Sequence, residues 1–263
     1  MQWENLTAAE FRQAVKDTGT CIVNMSVLEK HGDHLPLGTD LFLGHKLACL
    51  AAELEPAVVF PPYYFGKVFE ATCYPGAVAI GPTLLVELAQ AVFDEIGRNG
   101  FEKIILYNSH GGNWPLLQFL AQCDIASNTP YTLYLPQRFV SPEWMAEYQS
   151  ITPIPEHEHA GLIETSLAMA LFPELVQNDK IPAEDVRPLG RLAHLPDLFT
   201  GVNWFSDFPE HMAGDAGAAT LQVGEKLKEL HVKSLAAQIA AVKSDEVAPL
   251  LKDEFFQQYR NNQ

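Results

Sequence analysis

The chain has 263 residues, of which 48% are apolar and 19% charged, a composition that excludes a disordered chain and predicts a globular one. A formal charge of −16 disfavours nucleic acid and anionic membranes as partners, because both are bound by clusters of Lys and Arg. No apolar run approaches the roughly 18 residues that span a bilayer. The first residues lack the basic start of a signal peptide, so we expect a cytoplasmic protein.

The four cysteines include no Cys-x-x-Cys pair and are expected to be reduced thiols. There is no internal repeat and no long linker, which predicts a single domain over residues 1–263.

The first predicted elements are two helices and two strands. Thr7 and Glu10 have the spacing of a capping box, which predicts a helix that begins at Thr7. Residues 21–27 have β character, residues 43–54 predict a helix, and residues 57–60 predict a second strand.

The middle of the chain continues this alternation. Residues 81–100 predict an amphipathic helix, opened by a Gly-Pro step and closed by a glycine. Residues 103–108 predict a buried strand. A turn with two glycines over residues 109–113 leads to a predicted helix over residues 115–127, and residues 131–135 predict another strand.

The C-terminal part is less regular. Residues 140–160 are predicted to be irregular, residues 162–171 helical, residues 178–215 rich in loops, and residues 218–242 a long final helix. Strands that alternate with helices predict an α/β fold with a mostly parallel sheet covered on both faces. Functional sites in such sheets form at the carboxyl ends of the strands.

The first cluster of chemical interest follows the first strand. Glu29, His31 and Asp40 place two carboxylates and an imidazole within twelve positions, a mixed set that zinc and manganese accept. Pro36 and Gly38 force a tight path that would bring Asp40 back towards Glu29. A carboxylate can bridge two metal ions about 3.5–4 Å apart. The alternative is a polar loop with solvated charges.

Two further clusters lie downstream. His110 follows a predicted strand and precedes two glycines, which let the backbone approach a ligand. The alternative is a tight turn with a structural histidine. His159 precedes the helix predicted from residue 162 and is a candidate acid, base or ligand. Glu164, in the first turn, would face a cation or favour the helix dipole.

The three residues just before His159 are also potential ligands. Glu156, His157 and Glu158 are nevertheless expected to be solvated.

The sequence contains no serine-hydrolase elbow, P-loop or dinucleotide-binding fingerprint.

Together the clusters resemble the signature motifs of the creatininase (creatinine amidohydrolase) family. The resemblance lies in residues 29–40, residues 108–113 and residues 159–166, with a weaker match over residues 214–224. It implies a three-layer α/β/α sandwich, a binuclear metal centre and a homo-oligomer, often a hexamer. It also implies a metal-dependent hydrolase of the amidohydrolase type, acting on C–N bonds other than peptide bonds.

The resemblance also implies a role for each matching residue. Glu29, Asp40 and His110 would hold one metal ion, and His31 with the bridging Asp40 would hold the other. A hydroxide between the ions would attack a carbonyl carbon of a small amide or cyclic amide, and His159 would carry the proton. Zinc is the expected metal, with manganese or iron as alternatives.

The chain departs from creatininase itself at three places. Creatininase has a metal-binding glutamate where this chain has Gly112, and Glu164 is the candidate replacement, as ligand and as catalytic group. Leu162 stands where an acidic residue is common, and Trp144 is the nearest counterpart of the tryptophans that close over creatinine. These departures predict a different substrate.

Two other functions remain open from the sequence. One is the hydrolytic ring opening of a cyclic keto-sugar or keto-inositol, which keeps the metals but cleaves a C–C bond. The other is a non-catalytic protein that binds a metal or a ligand on the same fold.

Overall fold

The computed structural model describes residues 1–138 and 140–263, and its centre is a four-stranded sheet. The strand order is β2-β1-β3-β4, and every neighbouring pair is parallel. The strands are β1 (Thr20–Met25), β2 (Val58–Val59), β3 (Lys103–Asn108) and β4 (Thr132–Tyr134). β1 and β3 pair over their whole length, from Thr20 opposite Lys103 to Met25 opposite Asn108.

The helices of the described residues lie before, between and after these strands. They are α1 (Ala8–Thr18), α2 (Thr39–Leu54), α3 (Pro82–Arg98), α4 (Trp114–Cys123), α5 (Met145–Ile151), α6 (Leu162–Leu171), α7 (Asn203–Asp207), α8 (Leu221–Ser244) and α9 (Val247–Asn261). None of the helices in this part of the chain has the length and apolarity that a bilayer-spanning helix requires.

Alternating side chains of the two central strands build a core on each face of the sheet. Ile22 and Ile105 pack with apolar residues of α2, α6 and α8. Val23 and Leu106 point the other way and pack with residues of α1, α3 and α4. Because both faces are covered, every residue of β1 is buried. This confirms the predicted three-layer α/β/α fold with a mostly parallel sheet.

Most predicted elements are present, with different ends. The capping box between Thr7 and Glu10 begins α1, and β3 and α6 have the predicted bounds. The helix predicted over residues 115–127 ends at Cys123, where the carboxylate of Asp124 instead accepts hydrogen bonds from Thr129 and Lys252. All four cysteines are free thiols, as expected.

Three helical segments differ from the sequence-based expectation. The helix α5 lies within residues 140–160, which were predicted to be irregular. A short helix, α7, lies within the stretch predicted to be rich in loops. The helix predicted to be the last one is followed by α9, which buries only Phe256. The other large apolar residues of α9, spaced as on one face of a helix, are exposed: Val247, Leu250, Leu251, Phe255 and Tyr259.

Candidate metal centre

Five of the residues singled out in the sequence meet at the carboxyl ends of β1 and β3. Glu29 and His31 lie in the loop after β1, and His110 lies two residues after the end of β3. Asp40 and Glu164 lie in the first turns of α2 and α6. All are buried except Glu164, whose side chain is 20% exposed. The two central strands run parallel, so both following loops emerge at the same edge of the sheet.

The first group of ligand atoms comprises Glu29 Oε1, Asp40 Oδ2 and His110 Nδ1. The His110 nitrogen lies 2.7 Å from the Glu29 oxygen and 3.1 Å from the Asp40 oxygen. Both oxygens are buried, and neither has a hydrogen-bond partner among the described residues. Buried polar atoms rarely stay unpartnered, and the ligand atoms of these three residues lie within 4.8 Å of one another. A cation between these atoms would satisfy all three.

The second group comprises His31 Nε2, Asp40 Oδ1 and Glu164 Oε2. The His31 nitrogen lies 3.1 Å from the Asp40 oxygen and 3.6 Å from the Glu164 oxygen. His31 Nδ1 faces the backbone carbonyl of Glu29 at 3.2 Å, so in the neutral ring the proton sits on Nδ1 and the Nε2 lone pair faces the two carboxylates. Asp40 thus contributes one oxygen to each group.

His159 lies beside both groups. Its Nε2 donates to the backbone carbonyl of Lys30 at 2.8 Å, which leaves the Nδ1 lone pair 3.9 Å from Glu29 Oε1. Its ring stacks on His31 with centroids 4.3 Å apart. A third possible ligand group joins His159 with Glu29 and His31. The geometry allows His159 to accept a proton or to bind a cation.

Direct contacts join the first and the third sequence motif. His34 Nε2 lies 2.9 Å from the hydroxyl of Thr165, which itself donates to the carbonyl of Ala160. The backbone N–H of Ala160 donates to Glu164 Oε2 at 2.6 Å. The loop after β1 and the start of α6 therefore fix each other's position, and with it the second group of ligand atoms.

Comparison with known proteins identifies the family. Residues 4–239 match the family model described as Creatininase: Creatinine amidohydrolase. The chain belongs to the creatininase family. The members found by comparison are hydrolases, and this chain is a hydrolase of the same family.

Two curated relatives and one solved structure illustrate the range of the creatininase family. The chain is 25% identical over 254 residues to 3-dehydro-scyllo-inosose hydrolase of Thermotoga maritima, covering 86% of this chain and 78% of that protein. It is also 25% identical over 255 residues to creatinine amidohydrolase of Pseudomonas putida, covering 89% and 94%. A creatininase mutant of Zn-Zn type has the same fold, with a TM-score of 0.76, 21% identity and coverage of 93% and 98%.

Charge compensation dominates the electrostatics of the cluster. Burial opposes ionisation of Glu29, but the imidazoles of His110 and His159 outweigh it and hold the pKa of Glu29 well below its usual range.

Burial likewise opposes the protonation of His31, but Asp40 and Glu164 raise its pKa to about 10. The pKa of His110 is also raised well above its usual value, against burial, chiefly by Glu29. Burial raises the pKa of Glu164 to about 7.

A second set of residues at the cluster was not found by sequence reasoning. His211 Nε2 donates to Glu29 Oε2 at 2.7 Å. The indole N–H of Trp204 donates to His211 Nδ1 at 3.0 Å, which fixes the proton of the neutral ring on Nε2. His211 is one of the few residues other than glycine with positive φ, at 56°, and non-glycine residues in this region cluster at functional sites. A lone histidine in a loop-rich stretch gave no signal for this role.

Other sequence expectations near the cluster need correction. Trp144 packs against the core on the α2, α6 and α8 face, and Trp204 is the tryptophan that contacts His159. Glu158 is half-buried rather than solvated, because its carboxylate accepts from the backbone N–H groups of Ile163 and Glu164 at the start of α6. Burial, with the charge of Glu164, raises the pKa of Glu158 to about 8.

The raised pKa values predict that protons compete with a metal ion. His31 and His110 both hold protons at neutral pH in the absence of an ion, and a metal binds only the free lone pair. Zinc affinity should therefore fall as the pH falls and rise with pH up to about 10, the pKa of His31. Calorimetric titration in two buffers of different ionisation enthalpy should detect proton release. A pH-independent affinity without proton release would contradict this electrostatic picture.

The contact between His211 and Glu29 predicts a second measurable effect. His211→Leu leaves Glu29 Oε2 buried without its donor, which should lower the free energy of unfolding by roughly 1–3 kcal/mol. It should also weaken zinc binding by about 10–100-fold, as loss of a group that orients a ligand does. Chemical denaturation and chelator competition measure the two effects. His194→Leu, at an exposed histidine of the same stretch, should change neither. Unaltered zinc affinity in His211→Leu would show that His211 does not orient Glu29.

Proposed function

We propose that the protein is a binuclear metal-dependent hydrolase that cleaves the C–N bond of a small amide or cyclic amide other than creatinine. The observation that carries the proposal is the position of Asp40, which offers Oδ1 to His31 and Oδ2 to His110, each at 3.1 Å. A carboxylate shared in this way suits two neighbouring ions. Bound divalent ions in such a site lower the pKa of water and polarise a carbonyl group.

The ligand groups divide as the family resemblance implies. Glu29, Asp40 and His110 would hold one ion, and His31, Asp40 and Glu164 the other. Glu164 supplies the carboxylate that Gly112 lacks. Mixed nitrogen and oxygen donors suit zinc, which we take as the first choice, and also manganese and iron.

His159 is the proposed proton carrier. Burial lowers its pKa to about 4, so the ring is neutral at neutral pH and its Nδ1 lone pair is available beside Glu29. The Nε2–H donates to the backbone carbonyl of Lys30 and holds the ring in place while Nδ1 accepts a proton from the attacking water. That proton then goes to the leaving nitrogen, as general acid catalysis of amide cleavage requires. Glu164, partly exposed to the pocket, is the second group we expect beside the reacting carbonyl.

A cavity of about 490 Å³ adjoins the ligand groups at Glu164 and supports an amide with an apolar body as the substrate class. Aliphatic side chains contribute much of its wall: Leu43, Leu47, Met145, Ile154, Ile163 and Leu167. Polar groups are interspersed, among them Ser109, Arg138 and His231. A polyhydroxylated ring would leave many hydroxyl groups facing aliphatic carbon, which costs free energy for each hydrogen bond lost to water.

Ring opening of a cyclic keto-inositol is the second candidate. It is favoured by the 25% identity to an inosose hydrolase, as high as the identity to creatinine amidohydrolase. The same ligand groups and the same proton carrier would serve, because in both reactions water adds to a carbonyl carbon.

We also propose that the chain forms one domain and a homo-oligomer, with a hexamer as one candidate state. The proposal follows from the family resemblance, and light scattering coupled to size exclusion tests it. A strictly monomeric protein would overturn it.

Metal analysis tests the proposed centre. Protein purified without chelator should carry two equivalents of divalent metal, and Asp40→Ala should lose both, because the bridging oxygens serve both groups. Asp33→Ala is the matched control, since Asp33 is an exposed carboxylate in the same segment. The proposal fails if the wild-type chain binds no metal in this assay, or if Asp40→Ala keeps two equivalents.

A substrate screen separates the candidate reactions. With the metal-loaded enzyme we expect turnover of lactams or formamides that carry an apolar group, and little turnover of creatinine. His159→Gln should reduce kcat by about 10²–10⁴-fold, the usual contribution of a proton carrier. Efficient hydrolysis of keto-inositols without amide turnover would replace the first candidate by the second.

A further inference from the structure

The outer nitrogen of His110 faces a carboxylate outside the ligand groups. His110 Nδ1 points at Glu29 and Asp40, and Nε2 lies on the opposite edge of the ring, 3.5 Å from Glu70 Oε1. Nε2 is buried and has no hydrogen bond among the described residues. An imidazole that binds an ion through Nδ1 carries its proton on Nε2. Glu70 is the carboxylate that faces this proton, and a small shift would bring Oε1 to hydrogen-bonding distance.

Glu70 is held in this position from two sides. Its other oxygen, Oε2, accepts from Lys67 Nζ at 2.6 Å. The backbone N–H of Lys67 donates to Asn113 Oδ1 at 2.7 Å, and Asn113 Nδ2 donates to the carbonyl of Met25 at 3.0 Å. Asn113 is fully buried, so the loop that carries Glu70 is anchored to the end of β1. The side-chain amide of Asn113, at the end of the second sequence motif, therefore holds this loop in place.

The two glycines of that motif are not equivalent. A Cβ on Gly112 would lie 2.1 Å from Glu70 Oε1 and 2.5 Å from His110 Nε2, far inside contact distance. A Cβ on Gly111 would have no atom within 4 Å. Only glycine at position 112 leaves room for the carboxylate beside the imidazole.

We propose that Glu70 is a positioning residue whose carboxylate accepts a hydrogen bond from the Nε2–H of His110 and thereby aims the Nδ1 lone pair at the ion shared with Glu29 and Asp40. Gly112 is required because any side chain there would displace that carboxylate. The inference rests on the proposed metal centre and adds to it a residue that lies outside the ligand groups. A partner of this kind raises the basicity of the ligand imidazole and fixes its orientation, and its loss costs about 10–100-fold in metal affinity.

The first test measures both zinc affinities of the full chain by competition with a chromophoric chelator. Glu70→Gln removes the negative charge at nearly constant shape and should weaken one of the two ions by about 10–100-fold while the other keeps its affinity. Glu95→Gln is the matched control, because Glu95 also pairs with a cation three residues away, but on the exposed surface of α3. It should bind as the wild-type chain does.

The adjacent glycines give a second, independent test. Gly112→Ala should weaken the same ion as Glu70→Gln, whereas Gly111→Ala should leave both affinities unchanged. The double variant Gly112→Ala with Glu70→Gln should be no weaker than the stronger single effect, because both changes remove one interaction. Thermal unfolding of each variant in chelator shows whether the fold is retained.

The outcomes separate this inference from the proposed function. A wild-type chain that binds no zinc overturns both. Two zinc ions in the wild-type chain and unchanged affinities in Glu70→Gln and Gly112→Ala overturn the role of Glu70 alone. Equal weakening of both ions, with a matching loss of thermal stability, also overturns it, because that result indicates a purely structural residue.

Discussion

The in-register parallel pairing of β1 with β3 is the constraint on which the candidate centre depends. Met25 and Asn108 lie opposite each other at the ends of these strands, so the loops that follow leave the sheet side by side. One loop carries Glu29 and His31, and the other carries His110. A slip of one residue would turn every side chain of a strand to the opposite face. Because the two faces pack against different sets of helices, the cores hold this register firmly.

The cluster that results is costly to keep without a compensating charge. Glu29 and Asp40 are buried together with His31 and His110, and removing such groups from water costs several kcal/mol for each ion. The negative charges of these carboxylates are compensated by protonated imidazoles, which accounts for the raised pKa values of His31 and His110. A buried arrangement of this kind adds little to stability. A bound cation would offset this cost.

Much of the centre could be predicted from the sequence because its parts are local. Glu29, His31 and Asp40 lie in one short segment, and the glycines beside His110 mark a turn after an apolar strand. Runs of apolar residues likewise predicted that β1 and β3 are buried on both faces of the sheet. Residues that contact the site from a distant part of the sequence could not be predicted. His211 bonds Glu29 across 182 positions, and Glu70 reaches His110 from an irregular loop. Neither residue type nor spacing indicates such pairs in a single sequence.

The central claim is that Asp40 bridges two metal ions, one on each of its oxygens. Anomalous diffraction from crystals of the zinc-loaded protein, recorded at the zinc absorption edge, tests it most directly. The account predicts two anomalous peaks about 3.5–4 Å apart that flank the Asp40 carboxylate, one beside His110 and the other beside His31. A single peak, or peaks that lie away from Asp40, would contradict it.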